Sequence, residues 1–299
     1  PDGWLYLTDA RRGFDITTKE GQNLKGGSAR IWRCRPDGTG LEPMAGGGYD
    51  NAIELAFMPS GETVGTMTYF VNPEGGMRDA LMHWVEGGVF PKSGPVIQQD
   101  KFKMTGDLMP VMTKMARVAP SGLMRYRGSA LGKEYSTNIF SAEFNTGRIM
   151  RHQVSAEGAS YKTVDEPFIT STVQDIHLTD VLEDADGSML VLNTGGWFIL
   201  GCPLSRVAKM DVNGGIYRIR RNGSAKVSDP WGKKLNLKSM PLQTLAATIK
   251  DSRPAVRDNV IEGLVEKGES AVLPIKNTLL RSENEEIRAA GIFALYRIG

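Results

Sequence analysis

The chain has 299 residues, of which 40% are hydrophobic and 23% are charged. This composition excludes wholesale disorder and a bundle of membrane helices, and the length suffices for one large domain or two ordinary ones. The 36 Lys and Arg residues balance 34 Asp and Glu residues, which argues against nucleic acid as a partner. No apolar run approaches the length of about 18 residues that would predict membrane insertion.

Glycine and aromatic residues divide the chain into two parts. Residues 1–222 contain 29 of the 35 glycines and 20 of the 23 aromatic residues. A first part rich in turns and aromatic residues is typical of an all-β fold, whereas the remainder favours helices. The sequence therefore predicts a mainly β protein with a helical C-terminal segment.

Turn tripeptides recur in the first part, next to short apolar runs. They are Pro1-Asp2-Gly3, Pro59-Ser60-Gly61, Pro120-Ser121-Gly122 and Ala185-Asp186-Gly187. Each predicts a hairpin in which glycine supplies the positive φ that the turn needs. Strands with alternating basic and apolar residues follow three of these tripeptides after about 30 residues, at 30–33, 148–151 and 216–219.

Repeated four-strand units of this size are typical of a β-propeller. The pattern predicts about four blades of a six-bladed propeller, the first without its inner strand, and the chain begins without Met. We therefore expect an internal fragment that carries the C-terminal part of a propeller in residues 1–222. A basic linker follows in residues 223–241.

The tail repeats with a different period. Residues 256–268 align with residues 287–299 at an offset of 31, and their apolar positions follow helical spacing. Pro254 suits the first turn of a helix, and Gly268 and Gly299 suit helix ends. The pattern predicts the start of a HEAT-type α-solenoid in residues 242–299, on which a protein partner could dock.

Several segments carry a resemblance to a known family. They are residues 78–89, residues 119–123, residues 138–145, the run from His177 to Trp197, Cys202-Pro203, Lys209 and the run from Gly214 to Arg221. Together they resemble the bacterial membrane-bound dehydrogenase proteins. The resemblance covers most of residues 1–222.

The resemblance implies an exported, periplasmic chain with a propeller similar to the quinoprotein glucose and sorbosone dehydrogenases. It also implies HEAT repeats and a C-terminal haem-binding Cys-x-x-Cys-His module that this chain does not contain. The wider sugar dehydrogenases bind pyrroloquinoline quinone (PQQ) and calcium on the top face of the propeller. The implied activity is oxidation of a sugar or polyol, with electron transfer to the haem.

The candidate site follows from the chemistry of alcohol oxidation, which needs a base for the hydroxyl proton and cations for the quinone. We expect these groups just before the inner strands, at the mouth of the propeller channel. His177 and Asp180 are the candidate base and its orienting acid. The candidate cofactor-binding residues are Asn51, Lys114, Arg117 and Thr179. No metal ligands are predicted.

The alternatives are a structural or surface role for His177 and ordinary rim charges for Lys114 and Arg117. The chain also lacks the glycine-rich nucleotide-binding signatures and the nucleophile elbow of serine hydrolases. Two hypotheses remain open. One is the dehydrogenase, and the other is a noncatalytic propeller and HEAT module that binds a glycan or a protein partner.

Overall fold

The computed structural model describes residues 1–10, 12–68, 77–92, 97, 99–173, 175–196, 209 and 211–299. Trp197 and Cys202-Pro203, which belong to the segments that carry the resemblance, lie outside the described residues. The described chain is mainly β up to residue 219 and helical from residue 242.

Four sheets follow one another along the β part. Sheet 1 contains β1 (Leu5–Thr8), β4 (Ala29–Cys34), β5 (Glu42–Gly48) and β9 (Val89–Pro91). Sheet 2 contains β6 (Asn51–Phe57), β7 (Thr63–Thr68), β8 (Asp79–Trp84) and β10 (Thr113–Met115). Sheet 3 contains β11 (Pro120–Arg125), β12 (Ile139–Glu143), β13 (Arg148–Glu157) and β14 (Ser160–Thr170). Sheet 4 contains β15 (Leu178–Glu183), β16 (Met189–Asn193) and β17 (Gly215–Ile219).

A separate hairpin is formed by β2 (Phe14–Thr17) and β3 (Asn23–Gly26), between the first two strands of sheet 1. Neighbouring strands within each sheet are antiparallel, except that β9 joins β5 in parallel. The three strands predicted from alternating basic and apolar residues are confirmed as parts of β4, β13 and β17.

Apolar cores fill the spaces between successive sheets. The core between sheets 1 and 2 includes Ile31, Met44, Tyr49, Met67, Met82, Trp84 and Phe90. The core between sheets 2 and 3 includes Ala56, Val64, Leu81, Met115, Leu123 and Ile139. The core between sheets 3 and 4 includes Met124, Tyr126, Phe140, Ile149, Val181 and Met189. Sheets that pack face to face in series have the arrangement of propeller blades.

The first strands of sheets 2, 3 and 4 lie side by side, and we call β6, β11 and β15 the inner strands. Two predicted turns are confirmed there, since the tripeptides ending at Gly61 and Gly187 connect an inner strand to the next strand and both glycines have positive φ. The tripeptide ending at Gly122 is not a turn, because it lies within β11. A Cβ atom at Gly122 would collide with Asp180 of β15, so this glycine allows two inner strands to approach closely.

The helical segment contains α1 (Leu242–Ala247), α2 (Pro254–Glu266), α3 (Val272–Thr278) and α4 (Glu285–Ile298). Short 3₁₀ turns occur at Lys133–Tyr135, Leu237–Ser239, Thr248–Lys250 and Gly268–Ala271. Pro254 opens α2 as predicted, and the side chain of Asn284 caps α4 by accepting the N–H of Ile287. The helices have an apolar core of their own, which includes Leu245, Ile249, Val256, Val260, Leu264 and Ile275. Among the described residues, none of the helices combines the length and the apolar character needed to span a membrane.

The helical segment docks against the ends of the inner strands through arginine side chains. Arg125 at the end of β11 donates to the Phe57 carbonyl at 2.7 Å and to Glu286 of α4 at 3.0 Å. Arg127 forms a two-pronged ion pair with Asp258 of α2, at 2.7 and 2.9 Å. The propeller and the helices therefore meet at the ends of the inner strands that carry the Gly61 and Gly187 turns.

We predict that Gly122→Ala destabilises the chain by about 1–3 kcal/mol, because the added methyl group collides with Asp180 and separates β11 from β15. The free energy of unfolding is measured by chemical denaturation. Gly106→Ala is the matched control, because nothing lies within 4 Å of its Cβ position and its φ is not positive. Equal stabilities for the two variants would contradict the proposed close approach.

Candidate functional site

The three inner strands run in the same direction and start at the same end. Glu54 and the Phe57 carbonyl of β6 contact Leu123 and Arg125 of β11, so these two strands run in the same direction. Gly122 lies against Asp180, and the N–H of Arg127 donates to Glu183, so β15 runs the same way as β11. Each inner strand also shifts register against its neighbour, between residues 52 and 55, 120 and 123, and 178 and 180. β-Bulges of this kind redirect side chains, so polar groups of three strands can face one another near the strand starts.

His177 lies immediately before β15 and is held in a defined tautomer. Its Nδ1 lies 2.7 Å from the Gly195 carbonyl oxygen, which can only accept, so Nδ1 carries the proton. In the neutral ring, Nε2 then carries the lone pair, and it makes no hydrogen bond to any described residue. The ring packs against Phe144 with a centroid separation of 4.5 Å. His177 thus has the orientation of a proton acceptor.

We expected Asp180 to orient the His177 ring. In the structure, the Gly195 carbonyl has this role. Asp180 Oδ1 accepts the N–H of Val181 at 2.7 Å, and the Asp180 carboxyl group helps to raise the pKa of Glu54. Within the described part of the chain, no hydrogen bond joins Asp180 to His177. Asp180 therefore belongs to a carboxyl pair between two inner strands.

Glu54 is the partner that the sequence analysis missed. Burial raises the pKa of Glu54 to about 7, and the charge and hydrogen bond of Asp180 act in the same direction. The N–H of Leu123 donates to Glu54 Oε2 at 2.8 Å and opposes this rise in pKa. Because the pKa of Glu54 is about 7, this carboxyl group is partly protonated near neutral pH and can donate to or accept from a hydroxyl group.

The predicted cofactor-binding residues are only partly brought together. Thr179 donates to the Leu192 carbonyl at 3.4 Å, and Asn51 is an exposed residue at the start of β6. Arg117 is exposed in the connection between β10 and β11, where its carbonyl accepts from Asn145. Lys114 is exposed on β10, the outermost strand of sheet 2, and so is separated from the inner strands by β8 and β7.

The positions of these residues show whether they could together bind a quinone and a calcium ion. In the described part of the chain, no group of three His, Cys, Asp or Glu side chains is placed to hold a metal ion. Two basic residues were predicted to bind the cofactor. Arg117 lies near the start of an inner strand, and Lys114 lies on the outermost strand of sheet 2. The described residues account for a proton acceptor and one cation, and they do not form a complete quinone and calcium site.

Several solved structures are similar to parts of the chain. A glucose dehydrogenase is 18% identical with a TM-score of 0.45, and the match covers 73% of this chain and 61% of that protein. The PQQ-bound aldose sugar dehydrogenase from Streptomyces coelicolor is 17% identical with a TM-score of 0.46, over 72% of this chain and 58% of that protein. An oxidoreductase from Thermus thermophilus, described as a glucose dehydrogenase, is 19% identical with a TM-score of 0.44. The match covers 64% of this chain and 56% of that protein.

The chain therefore spans only 56% to 61% of the length of these three proteins. No protein-family model and no curated protein matches the sequence.

We predict that Glu54→Gln flattens the dependence of stability on pH. The pKa of Glu54 is about 7 in the folded chain and has its ordinary value of 4.5 in the unfolded chain, so the folded chain binds the proton more tightly. In the wild type, Glu54 therefore makes its whole contribution to the free energy of unfolding below pH 4.5. This contribution is lost as the pH rises through 7. We expect a loss of about 1 kcal/mol, because solvent screens this partly exposed group.

The measurement is the free energy of unfolding at several pH values between about 4 and 8, which brackets the two pKa values. Glu157→Gln, at an exposed position on β13, serves as the control and should keep the wild-type slope. A Glu54→Gln variant with that same slope would show that the carboxyl pair does not hold the proton.

Proposed function

We propose that the chain is part of an extracytoplasmic oxidoreductase that oxidises a hydroxyl group of a sugar or polyol. The observation that carries this proposal is the orientation of His177, whose Nδ1 lies 2.7 Å from the Gly195 carbonyl and whose Nε2 is left as a proton acceptor. His177 lies just before an inner strand, where we expect the groups that oxidise an alcohol, at the mouth of the propeller channel.

His177 would act on the substrate hydroxyl as a general base. Oxidation of an alcohol removes the hydroxyl proton together with a hydride from carbon, and Nε2 takes the proton. The imidazolium that forms keeps its Nδ1–H bond to the Gly195 carbonyl, which stabilises the added charge. Packing against Phe144 fixes the ring plane, so Nε2 need not reorient during the reaction.

The carboxyl pair would hold the substrate. Glu54 is partly protonated near neutral pH and Asp180 lies beside it, so the two carboxyl groups can donate to one hydroxyl oxygen and accept from another hydroxyl group. Asn51 and Thr179 are proposed to add polar contacts at the starts of β6 and β15. This combination suits a ligand with several neighbouring hydroxyl groups.

PQQ is the proposed cofactor because of the resemblance, and when bound it supplies a two-electron acceptor. Arg117 is proposed to contact one of its acidic groups. We also propose that residues 1–222 are the propeller part, 223–241 a linker and 242–299 the start of a HEAT array. Electrons would pass to a haem module of the same protein, which has a periplasmic or other exported location.

We predict that His177→Gln lowers kcat for sugar oxidation by at least about 100-fold, because the general base is lost. The full chain is titrated with PQQ and calcium by calorimetry, and oxidation of a panel of sugars and polyols is followed with a dye acceptor. Arg117→Ala should weaken binding of PQQ.

His83→Gln is the matched control, because His83 lies on β8 and contacts Ser160 of sheet 3, away from the starts of the inner strands. It should retain activity. Absence of PQQ binding at any calcium concentration, or full activity of His177→Gln, would reject the dehydrogenase and favour a binding module.

A further inference from the structure

One buried side chain, that of Asn193, accepts hydrogen bonds from both residues of the His177–Gly195 contact. Asn193 is the last residue of β16 and is 8% exposed. Its Oδ1 accepts the N–H of His177 at 3.0 Å and the N–H of Gly195 at 2.9 Å. Both partners are donors, so the amide oxygen of Asn193 faces them. A single atom therefore joins the two backbone segments that meet at the His177 ring.

The pattern of β16 explains how a polar side chain comes to be buried here. The side chains of the strand alternate, and Met189, Val191 and Asn193 are its buried positions. Met189 and Val191 belong to the apolar core between sheets 3 and 4. A buried amide costs free energy unless it is hydrogen-bonded, and the two backbone N–H groups satisfy the oxygen of Asn193.

Further hydrogen bonds connect Asn193 to the His177 ring. The N–H of Thr194 donates to the His177 carbonyl at 3.0 Å, and His177 Nδ1 donates to the Gly195 carbonyl at 2.7 Å. Residue 177 is thus bonded in turn to residues 193, 194 and 195. The direction of the Gly195 carbonyl depends on this network.

Gly195 needs an external restraint because of its backbone. Its φ is 69°, and a Cβ atom there would collide with the Val212 carbonyl oxygen, so the position requires glycine. Glycine permits this turn, but it is also the residue with the greatest conformational freedom. The bond from the Gly195 N–H to the side chain two residues earlier has the form of an Asx turn and limits that freedom.

The direction of the Gly195 carbonyl decides which nitrogen of His177 can take a proton. An unrestrained neutral imidazole in water favours the tautomer with its proton on Nε2. The lone pair then lies on Nδ1, and Nε2 cannot act as a base. A carbonyl oxygen held opposite Nδ1 stabilises the other tautomer, because it can only accept a hydrogen bond.

We infer that Asn193 is a positioning residue, which fixes the Gly195 carbonyl opposite Nδ1 and so keeps His177 in the Nδ1–H tautomer. The inference rests on the proposed function for the use of this tautomer in oxidation, whereas the tautomer itself is a property of the chain alone. Asn193 acts on the reaction through His177.

The test measures the tautomer of His177 from the nitrogen NMR shifts of its ring, in the full chain at about pH 9, where histidine rings are neutral. The chain has three histidines, and the signal lost in His177→Gln is that of His177. We expect the Nδ1–H tautomer in the wild type and mainly the Nε2–H tautomer in Asn193→Ala. Asn193→Asp keeps an oxygen acceptor at the same place, so it should retain the wild-type tautomer.

Two further variants separate positioning from folding. Asn193→Ser stays polar, but its side chain ends one bond before the position of Oδ1, so we expect the same change of tautomer as in Asn193→Ala. Val191→Ala removes core packing from the same strand and keeps the acceptor, so the wild-type tautomer should persist. An Nδ1–H tautomer in both Asn193→Ala and Asn193→Ser would overturn the inference. A changed tautomer in Val191→Ala would also overturn it, because loosening of sheet 4 would then suffice.

Kinetics separate this inference from the proposed function. If the wild type oxidises a sugar, Asn193→Ala should lower kcat about tenfold with KM unchanged, because only rings in the Nδ1–H tautomer react. A wild type that oxidises no sugar or polyol rejects the proposed function. The NMR measurement needs neither substrate nor cofactor, so it still decides the role of Asn193.

Discussion

One buried guanidinium connects three elements that are far apart in the sequence. Arg125 extends from the end of β11, donates to the Phe57 carbonyl of β6, and pairs with Glu286 in the first turn of α4. Burial lowers its pKa from the ordinary value, which shows how strongly the surroundings disfavour its charge. Glu286 is 36% exposed, so solvent screens this ion pair, and the pair acts together with the Phe57 hydrogen bond to dock the helices on the inner strands.

The fixed inner strands in turn determine which side chains meet between them. Gly122 lets β11 approach β15, and Asp180 of β15 helps to raise the pKa of Glu54 on β6. A residue with a side chain at position 122 would widen the gap and separate the two carboxyl groups. The carboxyl pair is therefore a product of backbone packing, and the three β-bulges near the strand starts set its direction.

The sequence predicted strands well where a turn signal was local. The tripeptides at Gly61 and Gly187 need positive φ, and this requirement is readable from the residues alone. The same tripeptide pattern at Gly122 reflects contact with a distant strand, which no local pattern reveals. Because residues 120–122 were predicted to form a turn, Lys114 was assigned to the inner rim, although its strand is the outermost of sheet 2.

The candidate site was predicted in part for a similar reason. His177 could be found because it precedes an inner strand, but its partner is a backbone carbonyl, and any residue type carries one. Glu54 left a usable signal, since it is an acid within the apolar run from Ile53 to Phe57. The HEAT-type repeat and the total of six blades stay predictions.

The docking of the helices on the propeller part combines charged contacts with apolar packing of Phe293 against the Gly61 turn. Each unit has its own apolar core, and the contacts between the units include the Arg125–Glu286 and Arg127–Asp258 ion pairs. Salt screens partly exposed pairs over a Debye length of about 10 Å at 0.1 M, but it hardly weakens apolar packing. High ionic strength should therefore loosen the junction while leaving both cores folded, so the chain would behave as two units joined by a salt-sensitive hinge.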